Sequence, residues 1–133
     1  MQKIDIRSLL KDPSLLKEQA FINGKWVGSQ TTFDVTNPAT DEVIASVSNL
    51  SSKDAELAIK AAEEALPAWR NKIGKERAQI MRKWFDLIIE NTQDLATLMT
   101  LEQGKPLIEA AGEVAYGASF VEWFAEEAKR VAG

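Results

Sequence analysis

A chain of 133 residues, 45% hydrophobic and 27% charged, is long enough for one soluble domain with a modest core. Its net charge of -4 argues against nucleic acid and against an anionic membrane surface, both of which require a basic face. With no Cys and no His, it excludes disulfides, a thiolate nucleophile, zinc fingers and a Ser-His-Asp triad; carboxylate pairs and oxygen-ligand cation sites stay open.

The opening Met1-Gln2-Lys3-Ile4-Asp5-Ile6 has no apolar signal core, and no run of about 18 apolar residues follows, so a cytoplasmic address is expected. Asp12-Pro13-Ser14 reads as a helix start, Asp as N-cap and Pro at the first helical position, before a short helix over Leu15 and Leu16. Residues 1–18 are then an arm that packs on something else. Phe21-Ile22-Asn23-Gly24-Lys25-Trp26-Val27 carries Asn-Gly between apolar pairs, the strongest short hairpin signal, and predicts strands near 19–22 and 25–28. Thr31, Phe33 and Val35 alternate with polar neighbours. Asn37-Pro38-Ala39-Thr40-Asp41 turns, and Glu42–Val47 forms a further strand, so 19–50 is a region of β-hairpins.

Helices follow over 51–133. Ser51-Ser52-Lys53-Asp54 is a capped start. Ala55, Ala58, Ala62 and Ala65 form a stripe of small residues that would admit a close neighbour, and Pro67 is expected to end or kink that helix. A second helix over about 75–90 carries an apolar face of Ile80, Met81, Trp84, Leu87 and Ile88. Thr92 can cap a third segment with Leu95, Leu98 and Met99. Gly104 is its expected C′ residue, and Pro106 opens the last helix. That helix presents Val114, Phe120, Val121, Phe124, Ala125, Ala128 and Val131. Gly112 and Gly117 lie inside it, reading either as sites of close packing or as tolerated suboptimal residues. Glu109 with Glu113, and Glu122 with Glu126, stand one turn apart; a solvated helix face is favoured over a paired-carboxylate site. No glycine-rich phosphate loop opens a helix after a strand, and the alternating parallel strands and crossover helices of a complete dinucleotide fold are absent.

Taken together and in order, these patterns resemble one family. Ile22-Asn23-Gly24-Lys25-Trp26, Asn37-Pro38-Ala39-Thr40, then Ala58, Ala61, Ala62, Ala65, Trp69 and Glu76-Arg77 look like the opening of NAD(P)-dependent aldehyde dehydrogenases. Thr100-Leu101-Glu102-Gln103-Gly104-Lys105-Pro106 is the most diagnostic stretch. Gly112-Glu113-Val114, Tyr116, Ala118, Phe120–Ala128 and Arg130 resemble the succinate-semialdehyde dehydrogenase branch. The likeness covers almost the whole chain from about residue 14.

The resemblance implies an α+β segment that forms part of an α/β NAD(P)-binding domain, incomplete in 1–133. It implies oxidation of succinate semialdehyde, or a similar short aldehyde acid, through a thiohemiacetal on a Cys that this chain lacks. The family's Glu and Asn partners, the cofactor-binding strands and the substrate-binding arginines are expected in later sequence, so no catalytic or cofactor-binding residue is assigned. NAD or NADP would serve the complete enzyme, and neither is expected on this chain alone. Two lesser roles fall within range. Thr36 and Glu102 match positions where family members hold a structural cation. Tyr116 and Phe120, with Gly112 on the same stripe at i, i+4, i+8, match the wall of the substrate tunnel; ordinary core packing is the competing reading. The expected partners are the remainder of the same enzyme and further copies of it, with no nucleic acid and no membrane. The alternative is a non-catalytic fragment or binding module that self-associates or complements the rest.

Overall fold

The computed structural model describes residues 5–130. The opening tetrapeptide and Val131 lie outside the described residues. The chain gathers into two compact units, one running to Pro67 together with Leu101–Gly104, the other Ala68–Thr100 together with Lys105 onward.

The first unit begins with the arm. Asp5 accepts the Arg7 N–H at 3.1 Å and starts a 3₁₀ turn over Ile6–Leu9 that sequence patterning did not suggest. Asp12 accepts the Ser14 N–H at 2.9 Å, with Pro13 at the first helical position as expected. The helix forecast over Leu15 and Leu16 is only one 3₁₀ turn, Pro13–Leu15, because Leu16 is already extended. Its side chain is buried, as are those of Ile6 and Leu10. These three, with Ile44 and Ala45, are the buried apolar residues of this unit. The arm therefore supplies core to its own chain.

Strands β1 (Ala20–Ile22) and β2 (Lys25–Val27) pair antiparallel, Phe21 opposite Trp26. Asn23 and Gly24 both take positive φ, 50° and 74°, as a tight turn matching the strand twist requires. Strands β3 (Thr32–Thr36) and β4 (Val43–Ser48) form the second pair, with a register shift between Val35 and Thr36. Their connection is closed by Asn37, whose side chain accepts the Ala39 N–H at 2.9 Å and whose own N–H donates to the Glu42 carbonyl at 2.9 Å.

Helix α1 spans Ser52–Arg70. Asp54 reaches back to accept both the Ser51 N–H at 2.8 Å and the Ser51 hydroxyl at 2.7 Å. One expectation fails here. The helix does not end at Pro67, which sits in its last turn; the Glu63 carbonyl it cannot serve belongs to an exposed residue that water can satisfy. The alanine stripe is not buried: only Ala58 is partly covered, and Ala55, Ala62 and Ala65 are exposed.

The second unit is helical. Helices α2 (Gly74–Glu90) and α4 (Leu107–Glu127) pack together, and α3 (Thr92–Gln103) follows α2 after a single residue. Thr92 does not act as an accepting cap. Its hydroxyl donates to the Ile89 carbonyl at 2.8 Å, closing the end of α2, while Asn91 accepts the Leu95 N–H at 3.0 Å. Pro106 stands just before α4, not inside it. The buried apolar set is small: Ala78, Ala96, Ala110, Val114, Ala118 and Ala125. Ala96, Ala110 and Val114 form one cluster, with Ile88, Leu95 and Met99 packed against it.

Small residues let the helix backbones approach. At Gly74, the first residue of α2, a Cβ would run into the Ala128 carbonyl oxygen just past α4. Gly112 and Gly117 do not share this role; a Cβ at either meets nothing within 4 Å. The apolar face forecast on α2 is divided: Met81 and Ile88 are half-buried, while Ile80, Trp84 and Leu87 are exposed. On α4, Val114 and Ala125 are buried, and Phe120 and Phe124 are exposed.

Candidate functional site

The aromatic stripe of α4 faces away from the packed interior. Ala110, Val114 and Ala118 mark the buried line at i, i+4, i+8, and Gly112, Tyr116 and Phe120 repeat that spacing two residues on. Two residues are about 200° of helix rotation, so the second line lies opposite the first. Tyr116 is 67% exposed and Phe120 49%. Their rings meet edge to face at 4.9 Å between centroids, the geometry aromatic quadrupoles favour. Within the described residues this pair is exposed and not part of the core. Gly112 adds no side chain on the same line and leaves the surface there open.

Beside this stripe lies an open groove of about 740 Å³, within the size range of ligand pockets. Phe120, Trp123 and Phe124 give it apolar walls, and Arg82 and Arg130 line it together with Glu122, Glu126 and Glu127, so both charge signs are present. Phe120 belongs to it, and Tyr116 does not. Arg82 is the residue that sequence patterning missed. It sits on α2, donates to Glu122 of α4 at 2.9 Å, reaches Asp86 at 3.3 Å and lies 4.7 Å from the centre of the Phe85 ring. The i, i+4 spacing of Arg82 and Asp86 was a local signal, whereas the bond to Glu122, 40 residues away, was not legible in the sequence.

Most of the α4 carboxylates are held by a cation. Glu113 pairs with Lys105, Glu122 with Arg82 and Glu126 with Lys129. They form no acid pair with one another in this arrangement, in line with the solvated-face reading. These partly exposed ion pairs contribute at most about 1 kcal/mol each.

Thr36 ends β3 and Glu102 lies in the last turn of α3, and both are exposed. Both belong to the first unit. Gly104, at φ 78°, comes so close to the Asn37-Pro38 turn that a Cβ there would stand 2.9 Å from Pro38 Cγ. The segment carrying Glu102 and the one carrying Thr36 thus meet two residues along from each candidate ligand. Among the described residues no group of three or more acidic side chains is placed to hold a metal ion.

For a dinucleotide, the described strands are two separate antiparallel pairs, and none runs through a glycine-rich turn into a helix. That is not the strand–turn–helix unit that cradles a pyrophosphate, so these residues do not by themselves fit the cofactor. No helix among the described residues is long and apolar enough to cross a membrane.

The model of the aldehyde dehydrogenase family matches residues 26–133, and the chain belongs to that family. It is 57% identical over 126 residues to a glutarate-semialdehyde dehydrogenase of Pseudomonas putida. It is 53% identical over 126 residues to an NADP(+) succinate-semialdehyde dehydrogenase of Escherichia coli. Each match covers 93% of this chain and 26% of the relative. A solved succinate-semialdehyde dehydrogenase from Burkholderia pseudomallei superposes with a TM-score of 0.90 at 55% identity, covering 93% of this chain and 26% of that one. The chain thus spans about a quarter of the length of the relatives it matches, and its α+β architecture is part of the aldehyde dehydrogenase fold.

Proposed function

We propose that this chain is the N-terminal segment of an NAD(P)-dependent dehydrogenase that oxidises succinate semialdehyde, or a similar short aldehyde acid, to the carboxylic acid. The observation that carries the reading is the outward Tyr116–Phe120 pair, in a chain more than half identical to two semialdehyde dehydrogenases. An exposed aromatic pair with one hydroxyl suits the wall of a passage for a short carbon chain once other polypeptide closes over it. Thr36 and Glu102 are proposed as two ligands of a structural cation, supported by the contact of Gly104 with Pro38.

Catalysis belongs to the whole enzyme in this reading, because the chain has no Cys to attack the aldehyde. NAD or NADP would be held by other sequence. The partners are the remainder of the same enzyme and further copies of it. The exposed Ile80, Trp84, Leu87 and Trp123 support that part, since side chains of this size on adjoining helices are normally covered. A cytoplasmic address belongs to the same reading; a Cys-free segment asks nothing of an oxidising compartment.

The experiment is direct. The coding sequence is followed in frame for a downstream Cys and Glu, and the complete enzyme is assayed for nicotinamide reduction with succinate semialdehyde. Tyr116→Ala in that enzyme should raise KM for the aldehyde more than it lowers kcat. The 133-residue chain alone should reduce no cofactor; turnover by it, free of full-length material, overturns the reading. The rival reading, a non-catalytic module, gains if the complete reading frame encodes no Cys.

A further inference from the structure

Glu18 occupies the outer edge of β4 with its side chain and its backbone together. In the β3–β4 pair, Phe33 stands opposite Val47 and Asp34 opposite Ser46. The Asn49 N–H donates inward to the Thr31 carbonyl at 2.9 Å. By the alternation of an antiparallel ladder, Val47 also turns its N–H toward β3, and Ser46 and Ser48 turn theirs away. Those two outward donors are the ones Glu18 takes. The Ser48 N–H donates to the Glu18 carbonyl at 2.9 Å, and the Ser46 N–H donates to Glu18 Oε1 at 3.2 Å. The Ser48 hydroxyl adds a bond to the same carbonyl at 3.1 Å. The other carboxylate oxygen is held by Arg7 Nη2 at 2.8 Å, from the 3₁₀ turn at the start of the arm.

This arrangement does not extend the sheet. A third strand would meet β4 with backbone groups at both positions, whereas here one bond is backbone and the other is a side chain. The arm caps the edge and then departs into β1 at Ala20. A strand edge with free N–H groups is a template on which another strand can pair. The β4 strands of two copies, related by a two-fold axis, would present complementary antiparallel edges. We propose that Glu18, positioned by Arg7, is an edge guard that closes β4 against strand addition by a second copy of this chain.

The test is residue-resolved hydrogen exchange on the full chain, at low and at high protein concentration. In the unsubstituted chain, Ser46 and Ser48 amides should be protected equally at both. In Glu18→Ala, Ser46 should exchange about tenfold faster at low concentration with Val47 unchanged, and its protection should return at high concentration as a second copy covers the edge. Unchanged Ser46 exchange at low concentration overturns the guard. Faster exchange that does not recover with concentration overturns the second copy as the added strand. Should the alanine variant lose protection at Val47 as well, Arg7→Ala supplies the second arm. It frees the Glu18 carboxylate without touching the Glu18 backbone, and should speed exchange at Ser46 but not at Ser48. Full Ser46 protection in that variant overturns the proposal.

Discussion

The two units differ in what they bury. The first closes on long aliphatic side chains, Ile6, Leu10, Leu16 and Ile44, three of them from the N-terminal arm. Among the described residues of the second, Val114 is the largest buried apolar side chain; Ala78, Ala96, Ala110, Ala118 and Ala125 are the other buried apolar ones. Several of its large side chains, among them Trp84, Phe120, Trp123 and Phe124, are exposed. Long side chains fill space between elements held apart, and small ones bring helix backbones together. The first unit therefore finds its large core residues within its own sequence. The second leaves several bulky side chains of its helices exposed.

That contrast can be broken in several places. The largest effect is expected at Gly74→Ala, where the new methyl group enters the Ala128 carbonyl. Overpacking against fixed backbone costs about 3 kcal/mol at the upper end, and urea unfolding followed by Trp84 and Trp123 fluorescence should show that loss. Wild-type stability in this variant would mean the close helix approach does not support the second unit. Gly104→Ala should cost about 2 kcal/mol, because an L residue at φ 78° is strained and Pro38 stands against it. If Thr36 and Glu102 do share a cation, the same substitution should also weaken a calcium- or sodium-dependent rise in Tm.

Gly117→Ala runs the other way. Nothing lies within 4 Å of the added carbon, so the gain in helix propensity should raise stability of this chain by up to about 1 kcal/mol. A loss instead would show that a neighbour already covers that face, as in a self-associated state, and comparison with the complete enzyme would sharpen the point. The smallest effect is expected at Asp54. The hydroxyl and N–H of Ser51 hold its carboxyl below the ordinary value of 3.8. A lowered native value means the bond stabilises the helix start above the unfolded value and is lost as pH falls through the native one. A carboxyl-carbon NMR titration should place Asp54 below 3.8, and Ser51→Ala should bring it back up; an ordinary value in the unsubstituted chain removes the cap.

Local chemistry made much of the fold legible. Asn23-Gly24 set the first hairpin, Asn37 the second turn, Asp12-Pro13 and Ser51 with Asp54 the helix starts, and Gly104 a helix end, each through bonds within a few residues. Pro67 misled because its effect depends on position, not identity: in the last turn of an exposed helix it leaves only a carbonyl that water can serve. The alanine stripe of α1 was legible as a face, but periodicity does not show whether anything covers it. The Tyr116–Phe120 stripe was readable as a stripe, but its direction was not. Arg82, Glu18 and the Gly104–Pro38 approach depend on partners 28 to 66 residues away, which no local pattern records.

By itself, then, the sequence determined the turns, the caps, the chemistry this chain cannot perform without Cys or His, and its resemblance to the aldehyde dehydrogenases. Tertiary structure alone decided which face of each helix is buried, that the arm belongs to the core of the first unit, and that the α4 aromatics look outward. The division has a physical cause. Hydrogen bonds within a turn are set by neighbours in the chain, whereas burial is set by whatever packs from a distance, and amphipathic spacing is equally compatible with either covering.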